Sequence, residues 1–464
     1  MRKLALSAKN EVDLTEGPVF LKVLSFALPL ILANILQALY NAADMVIVGL
    51  FAGDLPLGAV GATSALINLM LNLFIALSVG TSVTVATAVG ARNRERTQKL
   101  VHTSIALALV CGVFVTILGL ACSRRFLILM NTNAELLDMA TAYMRIFFSG
   151  SVFSLVYNFG AAILRAAGDS RRPLYYLMIS GAVNVVLNVF FVAVCGMTAD
   201  GVALATVLSQ VLSAALVVRA LLRHTGDIHL SFEKIRFYGR EVGDILRTGL
   251  PAGVQSTMFS ISNTMIQAAV NSFDNALLVS GNTAAMNIET FVYTAMYAMH
   301  ATSVTAMGQN IGAGKYRRMN AVIGYSLLAV ATIGLLMGGA VALFAEPLLD
   351  IYLTDSEAIE VGVLRLTIIG IPYLLCGVMD TLVGCSRGMG DTLKTMFVSV
   401  AGVCGIRIVW IYTVFAAYRT LPVLYLSYPV TWAITGLMQL ILCLVTKNRI
   451  QRRAEKQTEE RIPV

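Results

Sequence analysis

Charge is scarce in this sequence. Only 13% of its 464 residues are Asp, Glu, Lys or Arg, whereas 57% are apolar. A soluble chain of this length carries about twice that share of charge. The mean hydropathy of +0.77 agrees. Alternation is also missing. The apolar runs are continuous over roughly 20 residues or more, long enough to cross a bilayer, which argues against a β-barrel. No CxxC or Cys/His pattern appears among Cys111, Cys122, Cys195, Cys376, Cys385, Cys404 and Cys443. The absence of that pattern and the odd number suggest small core residues, not disulfides or metal ligands. HExxH, GxSxG and paired carboxylates at helical spacing are absent too, so a membrane-embedded enzyme is disfavoured. No cleavable signal peptide is expected. Met1–Thr15 is polar, and the first apolar stretch outruns a signal h-region.

What is present is a series of twelve apolar spans, near 19–52, 57–90, 98–122, 134–165, 173–196, 200–222, 245–272, 277–312, 320–345, 358–386, 393–417 and 422–446. The implied fold class is all-α, a polytopic membrane protein. An even number of spans puts both termini on one side. Basic residues choose the side. Arg2, Lys3, Lys9 and Lys22 precede span 1. Arg92, Arg94, Arg96 and Lys99 follow span 2, and Arg165, Arg171 and Arg172 follow span 4. The loop between spans 6 and 7 adds Arg219, Arg223, Lys234, Arg236, Arg240 and Arg247. Lys315, Arg317 and Arg318 follow span 8, and Arg387 and Lys394 follow span 10. The tail adds Lys447, Arg449, Arg452, Arg453, Lys456 and Arg461. The other side holds Arg124, Arg125 and Arg419. The positive-inside rule therefore places both termini in the cytoplasm of a cell in whose plasma membrane the chain sits. The net charge of +8 is read as topology and not as a nucleic-acid footprint.

The chain repeats. Pro29 and Pro251, Asn41 and Asn263, Asn158 and Asp380, and the aspartates ending LRAAGD and SRGMGD (Asp169 and Asp391) are all 222 residues apart. TSVTVATAVGARNRER from Thr81 resembles TSVTAMGQNIGAGKYRR from Thr302. The expected organisation is a cytoplasmic segment 1–18, a six-span lobe 19–222, a connecting loop 223–244, a second six-span lobe 245–446 and a cytoplasmic tail 447–464. A parallel repeat of this kind has its pseudo-two-fold axis along the membrane normal and marks alternating-access transporters. GAGK at Gly312–Lys315 lacks the rest of a phosphate loop and is rejected as a nucleotide site. An ion gradient is then the expected source of energy.

Span 1 carries Asn34, Gln37, Asn41 and Asp44 at spacings of 3, 4 and 3, hence on one side of a helix. A carboxylate at membrane depth is a functional candidate by default; the amides could equally serve helix–helix hydrogen bonds. The counterpart of Asp44 in the second half is Ile266. Candidate partners are Asn158 on span 4, Asn184 and Asn188 one turn apart on span 5, and Thr206, Ser209, Gln210 and Ser213 on span 6. Such a set suits Na⁺, and the same carboxylate, partly desolvated, could carry a proton instead. The second half offers Gln255, Asn263, Gln267 and Asn271 on span 7, Glu289 and His300 on span 8, and Asp380 on span 10. Arg145, Arg365 and Arg407 also fall in apolar stretches. They either snorkel or, for Arg407, pair with a carboxylate. Glu289 could alternatively lie solvated near the end of its span, and His300 could be a satisfied core residue.

These features resemble the bacterial MATE family of multidrug and toxic-compound extrusion transporters. The likeness covers essentially all twelve spans. It rests on LPLILANILQALYNAADMVIVG, LRAAGDSRRPLYYLMISGAVNVVLNV, GVALATVLSQ, QNIGAGKYRR and SRGMGD. The resemblance implies two pseudo-symmetric six-helix lobes in a V shape, a monomer, no cofactor, and export of amphipathic, cationic small molecules against H⁺ or Na⁺. It matches Asp44 to the coupling carboxylate, and Asn158, Asn184 and Thr206 to the same ion cluster. Asn188 stands where some members have a second aspartate, so the choice of ion stays open; Na⁺ at Asp44 is the one metal considered. Candidates to touch substrate are Gln37, Tyr40, Asn41, Gln255, Asn263, Glu289, His300 and Asp380. Pro29 is expected to let the first helix bend. The alternative in the same superfamily is a lipid-linked saccharide or lipid flippase, which would need a strongly basic cavity. A channel fits a two-lobe repeat with isolated carboxylates less well.

The charge pattern predicts that alkaline phosphatase fused after Thr420 is active and that a fusion after Arg240 is inactive. The reverse pattern would invert the topology.

Overall fold

A bilayer offers the backbone no hydrogen-bonding solvent, so each crossing segment must bond to itself, and the α-helix does that. The computed structural model describes residues 11–130 and 132–459, all of whose regular elements are helical. Arg2, Lys3, Lys9 and Arg461 of the charge pattern lie outside the described residues.

The first half contains α1 (Val19–Phe51), α2 (Asp54–Gly90), α3 (Arg94–Leu129), α4 (Ala134–Ser149), α5 (Ser151–Ala166), α6 (Arg171–Val194) and α7 (Ala199–Arg223). The second contains α8 (Gly239–Asn271), α9 (Ala276–Gly312), α10 (Met319–Leu343), α11 (Ser356–Gly370), α12 (Tyr373–Gly388), α13 (Thr392–Phe415) and α14 (Leu421–Glu459). Helices α4 and α5 form one span bent by 45°, and α11 and α12 one span bent by 48°. That makes six spans per half among the described residues, the twelve-helix, two-lobe fold expected from the sequence. Ten of them are long and apolar enough to cross a membrane by length and composition. The other two are α8 and α9. Their apolar runs are interrupted by Gln255, Asn263 and Gln267, and by Asn282, Glu289 and His300.

The repeat extends to the helix ends. Helix α2 covers 54–90 and α9 covers 276–312, 222 residues later at both ends. The bent spans begin at 134 and 356, each capped by the preceding side chain. Asn133 accepts from Glu135 N at 3.2 Å, and Asp355 from Glu357 N at 2.9 Å. These caps satisfy amides that a helix cannot satisfy itself.

The paired motifs prove to be helix stops. Gly168 and Gly390 adopt φ of 98° and 86°, which a side chain disfavours. Their amides bond back to Arg165 O and Arg387 O, and the following Asp169 and Asp391 amides to Leu164 O and Ser386 O. This is a glycine C-terminal cap used twice. GAGK ends α9 in a similar way, with Gly314 at φ 69° and Lys315 N bonded to Asn310 O. The same motif holds a neighbouring strand of chain. Gln309 Oε1 accepts from Leu14 N, Asn310 Nδ2 donates to Leu14 O, and Lys315 Nζ donates to Thr15 O at 3.0 Å.

Two compact units result. One holds residues 11–12 and Leu32–Gly253, the other Asp13–Ile31 and 254–459. The divisions fall two residues after Pro29 and two after Pro251, and both prolines lie inside continuous helices. The core of the first unit centres on Phe148, Leu155, Phe159 and Ile163, all fully buried. A smaller cluster in the second joins Ala285, Ile288, Leu349 and Leu366. Leu50, Leu129 and Leu343 are at least 75% exposed, as suits side chains in contact with lipid. All seven cysteines are free. Cys376, Cys385, Cys404 and Cys443 are core residues as expected, but Cys195 is exposed, because it follows the last turn of α6.

Close helix approach is repeated as well. A Cβ on Gly112 would lie 2.6 Å from Val152 Cα, and one on Gly334 would lie 2.8 Å from Leu374 Cα. Gly339 has open space around it. Gly112→Ala and Gly334→Ala should each destabilise the detergent-purified protein by about 1–3 kcal/mol through overpacking. Gly339→Ala should not. Thermal unfolding measures this, and equal melting temperatures for all three variants would disprove the close-packing account.

Candidate functional site

In the first unit, Tyr40 of α1 lies against Gly181 of α6. A Cβ at Gly181 would overlap the tyrosine ring, 1.9 Å from its nearest atom. The absent side chain lets the two helices approach, and the Tyr40 hydroxyl donates to Met178 O at 3.4 Å. One turn further along α1, Asp44 Oδ1 accepts from Asn188 Nδ2 at 2.5 Å. Asn188 Nδ2 also faces Asn184 Oδ1 at 3.4 Å. Asn188 is fully buried and Asn184 nearly so. Among the described residues Asn188 Oδ1 is itself buried with no hydrogen-bond partner. A carboxylate beside an amide oxygen that no donor satisfies is a site suited to a cation. Tyr143 of α4, which sequence reasoning did not single out, lies within electrostatic reach of Asp44.

The other expected members are placed differently. Asn158 donates to Ser154 O at 2.8 Å on its own helix, and Thr206 to Val202 O at 2.9 Å on its own. Among the described residues neither is hydrogen-bonded to Asp44. Gln37 Nε2 donates to Asn41 Oδ1 at 3.3 Å, and both residues are exposed. No group of three or more His, Cys, Asp or Glu that could hold a metal occurs among the described residues.

The second unit is built on a buried ion pair. Arg365 of α11 is 1% exposed and donates to both carboxylate oxygens of Glu289 at 2.8 Å, and to Asn282 Oδ1 at 2.8 Å. Asn282 Nδ2 in turn donates to Gln267 Oε1. Glu289 is thus neutralised in the interior and is not solvated at a helix end. Eleven residues on, His300 Nδ1 donates to the backbone oxygen of Asp380 at 2.7 Å. That leaves Nε2 as acceptor toward Arg387 Nη1 at 3.4 Å. Arg387 Nη2 donates to Gln255 Oε1 at 2.9 Å. His300 is therefore a satisfied core residue, stacked on Tyr297.

Arg407 donates to Asn263 Oδ1 at 2.9 Å and lies 4.2 Å over the Tyr428 ring. Its expected carboxylate partner is an amide instead. Arg365 does not snorkel either, and Arg145 is exposed. A cavity of about 310 Å³ opens among these groups. Asn263, Glu289, Arg365, Asp380 and Arg407 line it, together with Phe259, Tyr293, Tyr373, Tyr428 and Trp432. Gln255 and His300 are not among its lining residues. An apolar wall with a few convergent polar groups is the usual make-up of a small-molecule site.

Comparison with known proteins places this geometry in context. The family model MatE matches residues 29–190 and again 251–413, once in each half. The probable multidrug resistance protein NorM of Thermotoga maritima is 28% identical over 418 residues, covering 86% of this chain and 87% of that one. The probable multidrug resistance protein YoeA of Bacillus subtilis is 28% identical over 429 residues, covering 89% and 91%. Among solved structures, the outward-facing conformation of a multidrug resistance MATE family transporter superposes with a TM-score of 0.89 at 21% identity. It spans 96% of this chain and 99% of that one. With twelve spans, a 222-residue repeat and a family match in each half over most of its length, the chain belongs to the MatE family of membrane transporters.

Proposed function

We propose that this protein is a secondary active antiporter of the plasma membrane. It exports amphipathic, cationic drugs or toxic metabolites in exchange for H⁺ or Na⁺, and Asp44 is the coupling site. Family membership and the multidrug-resistance names of the relatives support the substrate class. The observation that carries the coupling role is the Asp44 carboxylate beside Asn188, whose buried Oδ1 lacks a partner. Among the described residues no cationic side chain is paired with Asp44, so an external cation is the natural counter-charge.

The cation enters from outside and binds at Asp44, with Asn184 and Asn188 as neutral oxygen ligands. Asn158 and Thr206 complete the shell by giving up their bonds to Ser154 O and Val202 O. Cation binding favours the state that releases substrate, and substrate binding favours release of the cation, because coupling between two sites is reciprocal. Gln37, Tyr40 and Asn41 on α1 contact substrate in the first unit, and Asn263, Glu289 and Asp380 do so in the second. Both termini lie in the cytoplasm, and the protein works as a monomer.

The test is export of ethidium from proteoliposomes under an imposed pH gradient or an imposed Na⁺ gradient. Wild-type export should follow one gradient, which names the ion. Asp44→Asn should reduce it to the level of empty liposomes while keeping an unchanged size-exclusion profile. Gradient-driven export by Asp44→Asn would refute the coupling role. Absence of export under both gradients in the wild type would favour the flippase alternative.

A further inference from the structure

The second unit holds a buried charge that the protein does not balance. Two carboxylates, Glu289 and Asp380, lie at or beside the cavity, and three guanidiniums, Arg365, Arg387 and Arg407, lie there with them. All five are at most 7% exposed. Glu289 is taken by Arg365 in a two-pronged pair. Asp380 lies beside the Tyr293 hydroxyl and within electrostatic reach of the Arg387 guanidinium. That leaves one positive charge over, on Arg407. Among the described residues it has no carboxylate partner. Its recorded contacts, the Asn263 amide and the Tyr428 ring, are neutral. Among the described residues its Nε, like that of Arg387, is buried with no acceptor. A buried cation left with neutral partners is costly, and an unsatisfied guanidinium donor adds to the cost. Arg407 faces the cavity.

We propose that the cavity of the second unit binds an organic anion, an aromatic carboxylate whose acid group pairs with Arg407 and whose ring lies among Phe259, Tyr428 and Trp432. A carboxylate there supplies the missing charge and an acceptor for Nε, in the forked geometry that guanidinium favours. The volume of about 310 Å³ accommodates a small bicyclic ring. The inference rests on the transport reading in that it names a second substrate class for the same protein. The binding itself does not involve Asp44.

The probe is 2-naphthoate, titrated calorimetrically into the purified full-length chain in nonionic detergent. 2-Naphthamide, with the same ring and no charge, serves as comparison. Naphthoate should bind at least about tenfold more tightly than naphthamide. Arg407→Gln should remove that preference, and Arg407→Lys should keep part of it. Equal binding of acid and amide, unaltered naphthoate affinity in Arg407→Gln, or no naphthoate binding by the wild type would overturn the proposal. If Arg407→Gln does not fold, the acid–amide comparison in the wild type and the Arg407→Lys variant decide. Naphthoate binding with no ion-driven ethidium export would defeat the transport reading alone. Ethidium export with no naphthoate binding would defeat this proposal alone.

Discussion

Inside a bilayer, a polar side chain has only other protein atoms to turn to. The Arg365–Glu289 pair is the fullest expression of that constraint. Two charges that lipid would reject are placed face to face, with Asn282 and Gln267 extending the network. Its presence explains why α8 and α9 can be too polar to pass as membrane spans on composition and still be spans. Their polar atoms are spent on α11, α12 and α13, not on lipid. The same constraint makes the exceptions informative. Asn188 Oδ1 in the first unit, and Arg387 Nε and Arg407 Nε in the second, are among the buried atoms of the described residues for which the internal accounting of donors and acceptors does not close.

The duplication kept geometry and let chemistry diverge. Helix ends, caps and glycine stops recur 222 residues apart, so the scaffold of the two halves is one design. The polar site is not repeated. At the same offset, Asp44 is answered by Ile266, Asn184 by Ile406, Asn188 by Trp410, Thr206 by Tyr428 and Asn158 by Asp380. Two of those counterparts, Tyr428 and Asp380, line the cavity of the second unit. One framework therefore presents a lone carboxylate among amides in one half and an aromatic, arginine-bearing cavity in the other.

Much of this was legible in the sequence because a few rules in a membrane are nearly absolute. The span count followed from apolar length, the repeat from matching motifs, and the shared face of Asn184 and Asn188 from helical spacing. What escaped depends on side-chain direction and on distant pairing. No local signal tells that Asn158 and Thr206 bond their own helices, since an amide or hydroxyl on a helix has both choices. Nothing in spacing links Glu289 to Arg365, 76 residues away, in preference to any other pair. Arg407 looked like one half of an ion pair, and only the structure shows that its neighbour is Asn263. The paired LRAAGD and SRGMGD motifs were visible as repeats. Their role as left-handed helix stops needed the backbone angles.

The last turn of α6 is π-helical over Phe190–Val194, with Cys195 N bonded to Phe190 O at 3.0 Å. The wide turn stores one surplus residue, and it begins two positions past Asn188. Deleting that residue would rewind the stretch as α-helix and leave the chain downstream in nearly the same orientation. Asn184 and Asn188 would stay where they are. The chain between Asn188 and the loop that follows is thereby a register buffer. The length of that loop, and the side chains it carries, can drift over generations without moving the asparagine that bonds Asp44.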